Sequence, residues 1–243
     1  MSDPIRIALV AEGVTDYVVV HAAIAAMLPA HEFELRLLQP EYSEAFEPVG
    51  SGLGLGWSGV YRWCRQTSAE GGDSIRSSVL FGFYDLLLIH LDADVAGYLY
   101  SSGRISDTTE DLPCERPCPP ASATTDPLRE VLLRWIGERE LPPRCVLCTP
   151  SKNTETWVMA TLFPHNKVMV KQGWECYADP EAQLALQPKG KRLQKSRSSY
   201  EERAADFTSR WSDLCGKLSE AERFDRDFRR QAFGLRLMTS SPD

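Results

Sequence analysis

The sequence is short of the features that would place it in a membrane, outside a cell or along a polyanion. Its first residues, MetSerAspProIleArgIle, lack a basic stretch followed by a long apolar run, so no secretory signal is expected. The most apolar helical stretch, Tyr17 to Leu28, contains His21 and falls well short of the ~20 residues that cross a bilayer. Positive charge is in deficit, with 27 Lys and Arg against 34 Asp and Glu and a formal net charge of -7. That balance argues against a protein that coats nucleic acid by bulk charge, while leaving room for a local basic patch or bound metal ions. The cysteines are seven, an odd number without an export signal, and read as reduced thiols in a cytoplasm. Phosphate-cradling glycine motifs are missing too. The glycines at 50, 52, 54 and 56 match neither GxGxxG nor GxxxxGK followed by Ser or Thr, so residues 39–57 read as a surface loop. No internal repeat and no Ser/His/Asp arrangement stands out.

What is present is organised around residues 86–95, LeuLeuLeuIleHisLeuAspAlaAspVal. A near-continuous apolar run of strand length that ends in two carboxylates is the pattern of a central parallel strand delivering charge to the rim of a sheet. Open α/β sheets place their chemistry at such rims. If the strand continues through them, Asp92 and Asp94 share a parity and leave from one face, where they can share a cation. An Asp-rich turn is the plainer reading.

The rest of the chain supplies neighbours for that strand. Ile5 to Ala11 reads as a first strand and Asp16 to Leu28 as a helix closed by Pro29, with Gly13 in the intervening turn and Thr15 as its cap. Phe33 to Leu38 alternates as a second strand, completing a right-handed βαβ unit. Short helices are expected at Val60 to Gln66 and Ser74 to Leu80. An irregular, proline-rich insert follows over residues 96–125, either a lid or a disordered insertion. A helix from Pro127 to about Arg139, with proline in the first position, leads to a strand at Cys145 to Thr149 and a helix at Thr156 to Phe163. The expected fold is α/β, a Rossmann-like core with a mainly parallel central sheet flanked by helices over residues 1–165. Residues 166–243 are expected to form a C-terminal helical extension, its last helix announced by the capping box Ser219-x-x-Glu222.

Glu12 and Asp16 on the first strand-to-helix turn and Asp92 and Asp94 after the central strand would meet at one rim of a parallel sheet. Four carboxylates there repel unless a divalent cation holds them, and oxygen ligands suit Mg2+ or Mn2+. Glu12-Gly13-x-Thr15-Asp16 after an N-terminal strand, followed by hydrophobic-Asp92-x-Asp94, resembles the TOPRIM domain of primases, topoisomerases and OLD-type nucleases. With the later Thr154-Glu155-x-Trp157 helix, the chain looks most like the small stand-alone TOPRIM proteins found beside ATPases in bacterial antiviral defence and abortive-infection loci.

The resemblance implies a cytoplasmic, Mg2+- or Mn2+-dependent nuclease, the effector of a defence or toxin system working with an ABC- or AAA-type ATPase. Glu12 would be the general base or first metal ligand, and Asp92 and Asp94 would hold the metal. Asp16 would match the second acid of the first motif, and Glu155 and Lys152 would supply a later acid and cation. For Glu155 a helix-terminal acid, and for Lys152 a solvated turn lysine, are the plainer readings. A catalytically silent TOPRIM-like regulator or scaffold is one alternative, and another Mg2+-dependent phosphoryl or nucleotide-sugar enzyme a second. Self-association is left open.

Other groups give weaker signals. Lys189, Lys191, Arg192, Lys195 and Arg197 form a basic cluster that can grip a nucleic-acid backbone or simply be a solvated loop. Trp57, Tyr61 and Trp63 beside Arg62 and Arg65 can stack on bases, with core packing the expected role. Cys114, Cys118, Cys145 and Cys148 can be drawn as a zinc site, although the last two lie three apart in a strand and point to opposite faces. His90 and His21 read as structural.

Overall fold

The computed structural model describes residues 3–41, 53–106, 111–189 and 192–239. Among these residues four short strands order everything else. These are β1 (Ile5–Val10), β2 (Phe33–Gln39), β3 (Leu86–His90) and β4 (Cys145–Cys148), all parallel and arranged β2-β1-β3-β4. The register sets Val10 beside Ile89 and His90 beside Cys148, so the carboxyl ends of β1, β3 and β4 reach one rim. The helices are α1 (Val14–Met27), α2 (Gly56–Glu70), α3 (Ser122–Trp135), α4 (Thr154–Leu162), α5 (Lys167–Gln172), α6 (Pro180–Ala185), α7 (Arg197–Glu201), α8 (Ala204–Cys215) and α9 (Ser219–Thr239). None of the described helices is long and apolar enough to cross a membrane.

Strand alternation divides the core in two. Ile7, Leu9, Leu86, Leu88, Val146 and Cys148 face a layer built from α1, α4, α8 and α9. Ala8, Val10, Leu87, Ile89, Cys145 and Leu147 face α2 and α3. A parallel sheet covered on both sides needs strands apolar on both faces, which is why LeuLeuLeuIle reads as a continuous run. The C-terminal helices share this core. Trp157 of α4 lies edge-on to Trp211 of α8, centroids 5.4 Å apart, and stacks on Phe224 of α9 at 6.0 Å. Trp57, Tyr61 and Trp63 are buried under the opposite layer, in the packing role expected of them.

Several local expectations are corrected. Thr15 does not cap α1. Gly13 is the cap residue, and its N–H donates to the Asp16 carboxylate at 2.9 Å. Pro127 lies inside α3, which begins at Ser122. That helix stops at Trp135 because Gly137 takes a left-handed φ of 74°, and a Cβ there would sit 1.9 Å from the Asp73 carbonyl oxygen. Ser219 lies within α9 rather than capping it, and Glu175 accepts from both the Ser219 hydroxyl, at 2.7 Å, and the Glu220 N–H, at 2.9 Å. A carboxylate borrowed from another segment thus does the work of a cap.

The cysteines also depart from expectation. Cys118 and Cys176 form a disulfide that ties the insert to the C-terminal extension. Cys145 and Cys148 are buried on opposite faces of β4, so no four-thiolate zinc centre forms from these residues. Gly50 and Gly52 of the glycine-rich loop lie outside the described residues, while Gly54 and Gly56 take left-handed conformations at the start of α2.

Candidate metal centre

The rim is built by backbone stitching. β1 runs into Ala11, whose N–H donates to the Gln39 carbonyl, and the next residue, Glu12, turns its carboxylate across the rim to accept the Asp92 N–H at 2.8 Å. β3 ends at His90, and residues 91–94 leave the ladder. Leu91, Ala93 and Asp94 donate their N–H groups to the carbonyls of Cys148, Pro150 and Lys152, and a short 3-10 turn spans Ala93–Val95. The turn ends the strand parity that would have set Asp92 and Asp94 side by side. Asp94 instead accepts from the Asn153 amide at 3.3 Å, while Asp92 faces back over the strand end.

There Asp92 meets Asp16 and His90. His90 is fully buried, with Nε2 3.2 Å from Asp92 Oδ1 and Nδ1 3.9 Å from Asp16 Oδ2. Among the described residues neither ring nitrogen has a hydrogen-bond partner, and Asp92 Oδ1 has none either. The 3.2 Å approach is close enough but misaligned for a hydrogen bond, so proximity and bonding are distinct here. Asp16 is better anchored: one oxygen accepts the Gly13 N–H, and the other accepts the Thr154 hydroxyl at 2.7 Å. One ligand atom each from Asp16, His90 and Asp92 lie within 4.8 Å of one another.

Around this trio are further acids. Glu155 is buried at the start of α4, where it accepts the Tyr200 hydroxyl at 2.9 Å and lies 3.7 Å from the Lys195 ammonium. Burial pushes the Asp92 carboxyl well above its usual range, and the charges of Asp16, Asp94 and Glu155 push it further. Glu12 is also raised well above its ordinary value, first by burial and then by Asp92. Burial likewise raises Asp94 and Glu155. A site that resists the ionised form of four carboxylates, and that leaves buried ligand atoms unbonded, fits a cation by its donor set and its charge. The imidazole adds a nitrogen to the oxygens, which favours Mn2+ over Mg2+.

The structure brings Glu12, Asp16, Asp92 and Asp94 to one rim and seats Glu155 behind them. Lys152 is buried, and its ammonium is paired with Glu115 of the insert. In the basic cluster, Lys195 pairs with Glu181 at 2.7 Å as well as approaching Glu155, and Arg197 pairs with Glu201 at 2.7 Å. Lys189 and Arg192 are exposed, and Lys191 lies outside the described residues. Sequence reasoning missed His90. Its signal was there: a polar residue closing an otherwise apolar buried strand, two positions before Asp92 and so of the same parity. Tyr200 and Lys195 gave no such signal, because their approach depends on α7 folding back over α4. No family model matches the chain, and no curated protein or solved structure matches it.

Proposed function

We propose that this chain is a Mg2+- or Mn2+-dependent nuclease that hydrolyses phosphodiester bonds in DNA or RNA. The observation that carries the reading is the buried Asp16, His90 and Asp92 trio, in which both His90 ring nitrogens and Asp92 Oδ1 make no hydrogen bond among the described residues, ringed by Glu12, Asp94 and Glu155 at the carboxyl rim of a parallel sheet. Asp16, His90 and Asp92 would hold the cation, which supplies charge neutralisation at the scissile phosphate and acidifies water. Glu12, fixed through one oxygen by the Asp92 N–H, keeps its other oxygen available to take a proton from the attacking water. Thr154 and Gly13 hold the Asp16 carboxylate in orientation, as outer hydrogen bonds do for metal ligands. Lys195, 3.7 Å from Glu155, and Lys152 are the two lysines that would balance developing negative charge, the first after releasing Glu181 and the second after releasing Glu115. The TOPRIM resemblance extends the proposal to an effector subunit that works with an ATPase.

The test is cleavage of labelled DNA and RNA by purified protein with Mn2+ or Mg2+, set beside Glu12→Gln and Asp92→Asn. Loss of a hundredfold or more in rate is expected for each variant. Folded variants that cut as fast as the unaltered chain would remove the assignment.

A further inference from the structure

Along the outer edge of β4, α3 and α9 leave a cleft of about 460 Å3. Four arginines line it, Arg129 from α3 and Arg223, Arg226 and Arg230 from α9. The α9 residues recur at three- and four-residue spacing and therefore share one face. Three acids answer them within the lining, Asp126, Glu130 and Asp227, so the cleft carries an excess positive charge in a chain whose net charge is -7.

The arginines are not equally engaged. Arg129 is buried, donating to Asp227 at 2.9 Å and to the Leu147 carbonyl at 3.0 Å. Arg223 donates to Asp126 at 2.5 Å. Arg226 and Arg230 approach Asp227 at only 3.7 and 3.4 Å, and each side chain is 63% exposed. A buried carboxylate already bonded to Arg129 thus gathers two further guanidiniums without satisfying their donors. Guanidinium forks of this kind match phosphate oxygens, which accept two N–H groups at once.

Position supports the same occupant. Arg129 also lies 3.4 Å from the Thr149 hydroxyl. Thr149 continues into Pro150–Lys152, the segment whose carbonyls hold Ala93 and Asp94 at the acidic rim. The cleft therefore adjoins the segment that shapes the candidate metal centre. Within the basic cluster at 189–197, by contrast, Lys195 and Arg197 are drawn into ion pairs.

We propose that the cleft between α3 and α9 binds consecutive phosphates of a nucleic-acid strand that continues to the acidic rim, with Arg226 and Arg230 meeting the phosphate oxygens and Asp227 holding both in place. The inference rests on the nuclease reading and names where that substrate's backbone is gripped. The shared chemistry is the phosphate ester, so a strand has to be told apart from a free nucleotide or phosphate.

The test is fluorescence anisotropy of a labelled single-stranded 20-mer and its duplex in EDTA, so that no cleavage occurs, over a series of NaCl concentrations. Arg226→Ala/Arg230→Ala is compared with the unaltered chain and with Arg65→Ala, an exposed arginine on α2. The double variant should bind roughly tenfold or more weakly near ~100 mM salt and lose about 0.7–0.9 of the log–log salt slope per phosphate contact, while Arg65→Ala changes neither. An unchanged slope, an equal effect of Arg65→Ala, or no binding of either oligonucleotide at low salt overturns the proposal. So does inorganic phosphate or AMP binding in place of the strand. A parallel Mn2+ thermal shift separates the two readings. If Mn2+ stabilises the unaltered chain but not Asp92→Asn, and the arginine variant still binds the strand normally, the cleft proposal alone fails. If neither Mn2+ nor any strand binds, the nuclease reading fails with it.

Discussion

Replacing Asp92 with Asn should make the metal-free protein more stable while removing its response to metal. Asp92 and Asp16 present oxygens within 4.8 Å of each other. At that separation and an effective dielectric of about 20, two full charges repel by about 3 kcal/mol. Partial protonation and relaxation reduce this, leaving a gain of about 2 kcal/mol for the neutral amide, or roughly 4–8 °C in Tm for a chain of this size. The Asp92 backbone N–H to Glu12 survives the change, so the fold of the rim is kept. The sign with pH follows from the raised carboxyl. Folding takes up a proton between the unfolded carboxylate value near ~4 and the higher folded one, so the wild-type chain loses stability as pH rises through that window. The amide has no such loss, and the advantage of Asp92→Asn should be small at about pH 5 and largest at about pH 8. Thermal melts in EDTA at both pH values read this directly. Added Mn2+ at a hundredfold excess over its Kd should stabilise the unaltered chain by about 2.7 kcal/mol and the variant hardly at all. A variant that is no more stable at pH 8, or that keeps its Mn2+ shift, would refute the placing of Asp92 in a repelling cation site.

Three further outcomes test other parts of the structure. Gly137→Ala should cost about 2 kcal/mol or more, because φ is 74° and the new Cβ would meet the Asp73 carbonyl at 1.9 Å; a Tm within 1 °C of wild type, of order the shift from ~0.3 kcal/mol, would contradict the geometry. Tyr200→Phe removes the hydroxyl bonded to buried Glu155 and should lower the urea midpoint by the equivalent of about 1.5–3 kcal/mol with the m-value unchanged, an unmoved midpoint counting against that bond. Thiol titration of denatured, unreduced protein should find the five cysteines outside the disulfide and, after reduction, all seven; seven without reduction would rule out the Cys118–Cys176 bond.

The coarse fold was legible because it depends on short-range pattern. Apolar runs of strand length alternating with helical stretches lead to a parallel sheet, and LeuLeuLeuIle followed by acids identified the strand whose end matters. Helix ends were less legible, since the α1 cap turned on a local Gly13–Asp16 bond and other ends on partners distant in sequence. Glu175 displaces the Ser219 capping box, the Asp73 carbonyl reserves position 137 for glycine, and the 148–152 carbonyls pull residues 91–94 out of the strand. The same holds at the site. Asp16, Asp92 and Glu12 announced themselves as acids beside strand ends. His90 was set aside because burial alone made it look structural, although its parity with Asp92 pointed to the same place. Lys195 was read with its basic neighbours, where only the fold of α6 and α7 could separate it from them.

The C-terminal helices are better understood as part of the site than as an addition to a finished core. A rim that packs Glu12, Asp16, Asp92, Asp94 and Glu155 together works against folding, at up to about 3 kcal/mol for each closely opposed charged pair. The layer opposing that tendency is the one that α8 and α9 complete: Trp157 between Trp211 and Phe224, and Phe228 beyond, each buried aromatic contributing about 2–3 kcal/mol. The same extension sends Tyr200 and Lys195 to Glu155, one to bond the carboxylate and the other to balance it. Glu155 opens α4 and Trp157 lies two residues further on, so the helix that carries the acid is also held by the aromatic cluster. Stability and site geometry therefore depend on the same contacts. A truncation before Lys195 would expose Trp157 and take Tyr200 and Lys195 away from Glu155 together, so its effects on folding and on metal binding should be inseparable. Tyr200→Phe and Asp92→Asn act on single polar groups within the intact fold and can separate them.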